Sequence, residues 1–340
     1  MTLSRNTKDS RPTIRDVARE AGVSHQTVSR VLNEHPKVAP ATRERVTRAM
    51  HKLGFERNLA AQMLTTQRSQ IIQVIAVDGK FPFEIPLLNS TQGEDYFAVY
   101  SECTPKMLPR MFDMAAARMV EGVFLYAPKL QIDDDDLLKM SHNIPIVRRD
   151  FAFASKKITW VGFDQVRATH LAVHHLLDLG HREIAMVTGT LKAINASWRY
   201  ATWREMLIER GIEPGPSAEG DYSTRQSALQ TGYDGMCQII QSRRRFSAVV
   251  VATDNMALGV RSALREYGLR VPEDVSLVSF DDAPHARFMD PPLTTVAMDF
   301  DLQNRLAFQF LFERISHPDI EPHPHMLLPD LVVRQSTREI

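Results

Sequence analysis

The chain has 340 residues, and its 41 Lys and Arg balance 41 Asp and Glu, so the formal net charge is zero. Only two cysteines occur, Cys103 and Cys237, and their separation excludes a disulfide framework and a zinc site with the usual cysteine spacing. No stretch approaches about 18 uninterrupted apolar residues, and the polar N-terminus lacks an apolar signal segment, so we expect a cytoplasmic protein with no membrane partner.

The charge is unevenly distributed along the chain. Up to Arg68 there are 13 Lys and Arg against 6 Asp and Glu, which leaves 28 against 35 for the remainder. A basic N-terminal part followed by an acidic body is typical of a protein whose N-terminal part binds a polyanion.

Residues 11–55 have the pattern of three short helices. Thr13 is placed to cap the first helix, Gly22 permits a turn, and Ser24 is placed to cap the second helix. The apolar residues of the first helix share one face, which we expect to be buried: Ile14, Val17, Ala18 and Ala21. A third helix, from about Ala41 to Leu53, would complete the packing. Two helices around a tight turn form the helix-turn-helix arrangement that reads the major groove of DNA, although a small helical unit that binds nothing would show the same pattern.

Residues 56–69 predict a linker. The segment is polar and contains neither Pro nor Gly, so it can form one or two helical turns around Leu59, Ala60, Met63 and Leu64.

Beyond this linker, apolar runs typical of strands alternate with amphipathic helical stretches. Strands are predicted in the runs IIQVIAV, DYFAVYS, VEGVFLYAP, IPIVRRD, ITWVGFD, REIAMVTG, FSAVVVATD and VSLVSFDD. This alternation requires parallel sheets with helices on both faces, so the predicted fold class is α/β, with an all-α helix-turn-helix unit ahead of two parallel-sheet subdomains. Ligands bind at the carboxyl ends of such strands, which are marked by Asp150, Asp164, Gly189, Asp254 and Asp281.

Several segments together resemble the LacI/GalR family of bacterial transcription regulators, in the family's order. They are TIRDVAREAGVSHQTVSRVLN, TRERVTRAMHKLGF, HLLDLGHREIAMVTG, TDNMALGVRSALREYGLRVPEDVSLVSFDD, PPLTTVAMDF and LVVRQST. The resemblance covers Arg11 to Thr337. It implies a homodimer that binds a pseudo-palindromic operator, and a core like that of periplasmic sugar-binding proteins. The implied core subdomains are 70–163 with about 292–322, and 164–291 with about 323–340.

The outer side of the second helix carries the residues that we expect to contact DNA. His25, Gln26 and Arg30 are best placed to reach base edges, and the resemblance puts the family's specificity positions there as well. Phosphate contacts are expected from Ser24, Thr27, Ser29 and Arg15 or Arg19. The resemblance adds DNA contacts at Thr13, Asn33, Asn58 and Ala61. A solvated helix end remains the alternative interpretation of Arg30.

In the linker, the resemblance implies that Leu64 enters the minor groove and kinks the operator. An apolar contact between paired hinge helices is the alternative role. The sequence departs from the family here, because Arg57 replaces the usual proline and Gln62 the usual arginine, which weakens the signal for a helix start.

The resemblance also implies an effector site in the cleft between the core subdomains. Phe83 and Tyr222 match aromatic walls, and the polar contacts match Asp150, Asn195, Arg199 and Asp281. Carboxylates, a guanidinium and an aromatic face suit a sugar or a nucleoside. Alternatively, Arg199 and Asp281 form an ion pair and Tyr222 is a core aromatic residue.

Two departures affect this expected site. Thr253 stands where the family commonly has Asn, which removes an amide. The segment from Phe81 to Tyr96 is shorter than the family pattern and is interrupted by Pro86 and Gly93, so we expect a rebuilt wall near Phe83.

Other functional classes find less support. The chain has no nucleophile elbow, HExxH, P-loop or GxGxxG motif, so we predict no enzyme, catalytic residue or cofactor. The run Asp133 to Asp136 favours an acidic helix start over a calcium loop, and the prolines around His323 and His325 favour a loop over a metal site. A solute-binding protein without DNA regulation remains an alternative for the core, but it leaves the first unit unexplained. No heptad tail follows the last motif, so we expect a dimer and not a coiled-coil tetramer.

Overall fold

The computed structural model describes residues 12–32, 35–55, 68–78, 96–130, 132–149, 155 and 157–340. The chain forms two compact units, Met1–Ser69 and Gln70–Ile340. Within the described part, no helix is both long and apolar enough to cross a membrane.

The first unit is a three-helix cluster. Its helices are α1 (Ile14–Ala21), α2 (His25–Leu32) and α3 (Pro40–Leu53). Their shared core consists of Val17, Ala18, Ala21, Val28, Val31, Val46 and Ala49. Gly22 ends α1 and Gly54 ends α3 in the left-handed conformation, with φ of 63° and 61°, which glycine adopts without steric cost. The predicted burial of Ile14 is wrong, because Ile14 is 37% exposed. The packing of α1 against the other helices begins one turn later, at Val17.

The second unit alternates strands and helices as predicted. Its helices are α4 (Leu108–Ala117), α5 (Asp134–Met140), α6 (Gln165–Asp178), α7 (Ile194–Glu209), α8 (Arg225–Gln241), α9 (Asp254–Glu266) and α10 (Phe300–Ser316). Its strands are β1 (Ile71–Val77), β2 (Phe97–Cys103), β3 (Gly122–Tyr126), β4 (Ile146–Arg149), β5 (Thr159–Phe163), β6 (Ile184–Gly189), β7 (Ser217–Gly220), β8 (Ala248–Val251), β9 (Ser276–Asp281), β10 (Thr294–Ala297), β11 (Pro324–Leu327) and β12 (Asp330–Val332).

The strands form two separate sheets. The first has the order β11-β5-β4-β3-β1-β2 and the second the order β12-β10-β9-β8-β6-β7. All of these pairs are parallel except β10 with β12. Each sheet is covered on both faces: α4 and α5 pack against one face of the first sheet and α10 against the other, while α6 and α7 cover one face of the second and α8 and α9 the other. The fold class predicted from the alternation is therefore confirmed.

The subdomains exchange chain segments at places that differ from the expected ones. β10 pairs with β9 in the second sheet, and β11 pairs with β5 in the first. The return segments therefore begin between Ala297 and Phe300 and between Leu327 and Asp330, later than the expected boundaries near residues 292 and 323. These strands are three or four residues long, and their sheet is determined by the strand that lies beside them, which local sequence does not specify.

Two smaller predictions have different outcomes. The acidic run does start a helix, because Asp133 caps α5 and its Oδ1 accepts a hydrogen bond of 2.7 Å from the backbone N–H of Asp135. The loop predicted around His323 and His325 is wrong, since Pro324–Leu327 is a strand. β11 lies at the edge of its sheet and Pro324 is its first residue, two positions at which a strand tolerates the missing N–H of proline.

Candidate functional site

The exposed side of α2 carries the polar residues that were predicted to face outward. His25, Gln26 and Arg30 are exposed, and Ser29 is half-buried. Val28 and Val31 lie on the opposite side and are 0% and 7% exposed. The packing of these two valines therefore fixes which face of α2 is available to a partner.

Some predicted contact residues also hold the helix ends. The Thr13 hydroxyl donates to Asp16 Oδ2 over 2.6 Å, and the Asp16 backbone N–H donates to Thr13 Oγ1 over 3.4 Å. The Thr13 hydroxyl and the Thr13 backbone N–H, which is 3.0 Å from Asp16 Oδ2, both donate to the carboxylate and lower the pKa of Asp16. Ser24 Oγ accepts a hydrogen bond of 3.1 Å from the N–H of Thr27, at the start of α2. Thr13 and Ser24 are therefore helix caps, and their contacts with DNA stay predictions.

A cavity of about 680 Å³ opens at the carboxyl ends of the strands of both subdomains. Four of the residues predicted for the effector site line this cavity: Asn195, Arg199, Tyr222 and Asp281. They come from α7, from the loop after β7 and from the end of β9, all of which belong to the second subdomain. Of these four residues, only Asp281 was also selected by the rule that ligands bind beyond the carboxyl ends of parallel strands, and contact of any of them with an effector stays a prediction.

Arg199 is the buried cation of this wall, only 2% exposed. Its Nε donates to Gln165 Oε1 over 2.8 Å, its Nη1 donates to the carbonyl of Ala252 over 2.5 Å, and its guanidinium lies 4.1 Å from the ring centroid of Phe280. Neither hydrogen bond goes to Asp281, so the alternative of a simple Arg199–Asp281 ion pair does not describe this geometry. Two of the guanidinium nitrogens therefore hold the side chain in place, and no hydrogen bond among the described residues engages Nη2.

Asp254 and Asp281 are neighbouring carboxylates with different surroundings. Asp254 accepts hydrogen bonds from Ser279 Oγ, from Thr295 Oγ1 at 2.8 Å and from the backbone N–H of Ala283 at 2.7 Å. Burial raises the pKa of both carboxyl groups, and for Asp281 the nearby Arg199 opposes that rise. Among the described residues, none donates a hydrogen bond to the carboxylate of Asp281, so this group is an acceptor available to a bound molecule.

Tyr222 forms an aromatic wall that is held in place on two sides. Its hydroxyl donates to Asn195 Oδ1 over 2.8 Å, and burial raises its pKa to about 12. The ring lies directly against Gly189, where an added Cβ would come within 1.9 Å of its Cε1. The phenol therefore stays un-ionised at neutral pH, and its ring is a fixed surface.

The sequence reasoning missed the opposite wall, which comes from the first subdomain. Arg149 ends β4, is 2% exposed, and places its guanidinium 5.5 Å from the ring centroid of Tyr126 and 5.3 Å from that of Phe300. All three residues line the cavity. The strand-end rule that selected Asp150 could have found Arg149, its neighbour, whereas Phe300 lies far along the chain at the start of α10.

The departure at Thr253 has a structural explanation. Thr253 caps α9, and its hydroxyl accepts a hydrogen bond of 3.2 Å from the N–H of Met256. Both Thr253 and Asn255 line the cavity, so an amide is present two residues after the position where the family commonly carries one. Asn255 is not among the site residues predicted from the sequence.

Several predicted site residues lie outside the described part of the chain. They are Asn33, Asn58, Ala61, Leu64, Phe83 and Asp150. Among the residues that the structure does describe, no group of three or more His, Cys, Asp or Glu side chains is arranged to hold a metal ion.

Comparison with known proteins identifies both units. Residues 13–58 match the family described as bacterial regulatory proteins, lacI family, and residues 173–337 match the periplasmic binding protein-like domain. A similar relative is the HTH-type transcriptional repressor PurR of Haemophilus influenzae, which is 31% identical over 339 residues, with 96% of this chain and 99% of PurR covered.

Solved structures give the same result. The lac repressor dimer bound to operator and the anti-inducer ONPF is similar with a TM-score of 0.85 and 30% identity, covering 97% of this chain and 100% of that chain. The complex of the transcriptional regulator CelR with cellobiose is similar with a TM-score of 0.66 and 29% identity. The match covers 96% of this chain and 100% of the CelR chain. All three relatives carry a name that refers to transcription or to the lac repressor.

Proposed function

This chain belongs to the LacI family of bacterial regulatory proteins, and from that premise we propose that it is a sequence-specific DNA-binding transcriptional repressor. Its operator affinity is controlled by a small effector bound in the cleft, and it acts in the cytoplasm without catalysing a reaction. The observation that carries the proposal is the exposed polar face of α2, which a chain that only binds solutes would not need.

Base readout is assigned to that face. Gln26 can form two hydrogen bonds with adenine and Arg30 two with guanine, each worth about 1–3 kcal/mol of discrimination. Ser24, Thr27, Ser29 and Arg15 contact phosphates, which positions the helix without specifying sequence. Asn33, Asn58, Ala61 and Leu64 remain in the proposal on the family resemblance alone.

The repressor acts as a homodimer on a pseudo-palindromic operator. The similar lac repressor structure is a dimer on its operator. In this chain, β2 is an edge strand whose Phe97 and Val99 are 56% and 39% exposed. An apolar edge strand is a ready surface for pairing with a second copy.

The effector is a polyhydroxylated molecule, a sugar or a nucleoside. The carboxylate of Asp281, to which no described residue donates, accepts hydrogen bonds from hydroxyl groups, and Arg199 donates to ring or hydroxyl oxygens. Tyr222 and Phe300 offer aromatic faces from the two subdomains, against which C–H surfaces can pack. Phe83 and Asp150 are proposed members of the same site from the family resemblance.

Effector and operator are coupled through the angle between the two core subdomains. A ligand that binds one angle more tightly shifts the population towards it, and the affinities for operator and effector then change by the same factor.

Selection of duplexes from a randomised library, followed by a salt titration, tests the DNA-binding part. We expect enrichment of two-fold symmetric sites and a linear fall of log K with log salt, with a slope of about −0.9 for each neutralised phosphate. Absence of any symmetric preference in dilute salt would contradict the proposal.

Thermal unfolding of the full chain tests the effector part, with a panel of neutral mono- and disaccharides including cellobiose, sugar phosphates, and nucleosides. A ligand at about 100 times its Kd stabilises the folded state by about 2.7 kcal/mol. The matched control is Asp281→Asn, which should not respond to the compound that stabilises the wild type. A shift of equal size in both proteins would place the ligand elsewhere.

A further inference from the structure

Two consecutive residues of the first subdomain contact the second across the mouth of the cleft. Pro128 and Lys129 follow β3, and both line the cavity. The carbonyl of Pro128 accepts a hydrogen bond of 3.3 Å from the backbone N–H of Ile194. The Nζ of Lys129 lies 3.5 Å from Oδ1 of Asp221. One short segment therefore connects to two separate elements of the opposite subdomain.

The two contacted residues immediately precede Asn195 and Tyr222, which are hydrogen-bonded to each other in the cleft wall. Ile194 precedes Asn195 and Asp221 precedes Tyr222, and the hydroxyl of Tyr222 donates to Asn195 Oδ1 over 2.8 Å. Asp221 is also anchored within its own subdomain, since its carbonyl accepts a hydrogen bond of 2.5 Å from Thr231 Oγ1. A displacement of Pro128 and Lys129 would therefore act directly on both ends of the Asn195–Tyr222 hydrogen bond.

The N–H of Ile194 makes this connection measurable. Ile194 is the first residue of α7, so its N–H has no acceptor within the helix. Its acceptor is the Pro128 carbonyl of the other subdomain, and the amide is therefore protected only while the two subdomains are in contact at this point.

We propose that Pro128 and Lys129 form a latch that holds the cleft closed and positions the Tyr222–Asn195 wall, with Lys129 as the positioning residue. The latch is a means of regulating the effector site, and in that respect it rests on the proposed function. The Lys129 side chain is 23% exposed and that of Asp221 is 52% exposed. A partly solvated ion pair of this kind contributes little to folding, so it can open and close without unfolding either subdomain.

Hydrogen–deuterium exchange of the full chain, without DNA or effector, tests the latch. The variant Lys129→Met removes the charge but keeps the apolar stem, and Asp221→Asn removes the partner charge. We expect each to accelerate exchange at the Ile194 amide by about fivefold or more, with unchanged exchange in β6 and β8. The charge-swapped double variant K129D/D221K should recover at least part of the lost protection.

A second ion pair provides the matched control. Lys157 Nζ lies 2.6 Å from Asp135 Oδ1, and both residues belong to the first subdomain. Lys157→Met should leave Ile194 protection unchanged. Raising NaCl from about 0.1 M to about 1 M shortens the Debye length from about 10 Å to about 3 Å, so it should accelerate Ile194 exchange in the wild type but not in Lys129→Met.

The outcomes separate the latch from the regulatory function. Unchanged Ile194 protection in both single variants, or a double variant as fast as the singles, would overturn the latch. The exchange measurement involves neither operator nor effector. Failure of the chain to bind DNA would therefore contradict the proposed function but would not change what the exchange rates say about the latch.

Discussion

At the scale of one residue, Asp281 is a carboxylate that lines the cleft but has lost most of its contact with water. Its carboxylate is exposed to the cavity yet is largely removed from water, and no described residue donates a hydrogen bond to it. Its backbone has φ of 113°, a conformation that costs energy for a residue with a side chain. Such a group destabilises the empty protein and becomes favourable only when a ligand donates to it.

This conflict gives a prediction for Asp281→Asn as a function of pH. Burial raises the folded-state pKa above the ordinary value of 3.8, so the wild type is most stable below that value and loses stability as the pH rises through the folded-state pKa. The amide mimics the neutral carboxyl group. We expect the free energy of unfolding of the variant at pH 7 to exceed that of the wild type by about 1 kcal/mol or more, since one pKa unit is worth about 1.4 kcal/mol. The difference should shrink as the pH falls towards 4, in urea unfolding of both proteins.

Asp254→Asn is the matched control, because Asp254 is buried and its pKa is also raised. Its oxygens accept from two hydroxyls and one backbone N–H. An amide would place an NH₂ group against one of those donors, so this variant should be less stable than the wild type at pH 7. A stabilised Asp254→Asn, or a pH-independent effect of Asp281→Asn, would argue against this electrostatic account.

Arg30 and Arg15 give a prediction about recognition at the same scale. Both are exposed, Arg30 in the last turn of α2 and Arg15 in the first turn of α1. Arg30→Ala should relax preference at one base pair in each half-site. Arg15→Ala should weaken binding to all sequences equally and reduce the salt slope by about 1. Affinities across a randomised operator library measure both effects, and unchanged relative affinities for Arg30→Ala would refute base contact.

At the scale of elements, the crossing of α8 and α9 depends on two glycines. An added Cβ at Gly232 would come within 2.0 Å of the Met256 carbonyl oxygen, and one at Gly259 within 2.0 Å of the Leu229 carbonyl oxygen. Backbone atoms cannot rotate away as a side chain can. The helices therefore approach more closely than any other residue at these two positions would allow.

We predict that Gly259→Ala and Gly232→Ala each destabilise the protein by about 1–3 kcal/mol, because overpacking forces the helices apart. Helix propensity alone favours Ala over Gly by about 1 kcal/mol, so the sign of the effect tests the packing argument. Urea unfolding of the full chain measures it. Gly235→Ala is the control, since its Cβ would meet a Val187 methyl group at 2.9 Å, which can move, and its cost should be smaller.

At the scale of the whole molecule, the proposed dimer depends on the exposed edge at β2. Phe97→Glu places a charge on this apolar edge, and burying that charge in an interface without a partner is costly. We expect the variant to sediment as a monomer at concentrations where the wild type is a dimer. Its operator affinity should fall by about tenfold or more, because the two half-sites are no longer bound by linked modules.

Trp198→Glu is the control for this prediction. Trp198 is also a large apolar residue, 44% exposed, but it lies on α7 of the second subdomain and not on the edge strand. The variant should remain dimeric. A dimeric Phe97→Glu protein with full operator affinity would exclude β2 from the interface.

The long periodic segments were predictable from local sequence. The run IIQVIAV coincides with β1, and VSLVSFDD contains β9, because a strand buried on both faces is predominantly apolar. The last three strands were not predictable to the same degree. All three are short, β11 and β12 are partly exposed, and the sheet that each strand joins depends on neighbours distant in the chain.

By itself, the sequence determined the alternation of strands and helices, the three-helix unit with His25, Gln26 and Arg30 facing outward, and four residues of the cleft wall. The first two follow from periodicity, which is a local property of the chain. Of the four wall residues only Asp281 follows from its position at the end of a strand, because the family resemblance supplied Asn195, Arg199 and Tyr222. Only the tertiary structure decided that Arg199 bonds to Gln165 and Ala252 and not to Asp281, that Arg149 and Phe300 form the opposite wall, and that Lys129 reaches Asp221. The physical reason is that contacts between distant segments depend on how two sheets are placed in space, and no local pattern of side chains records that placement.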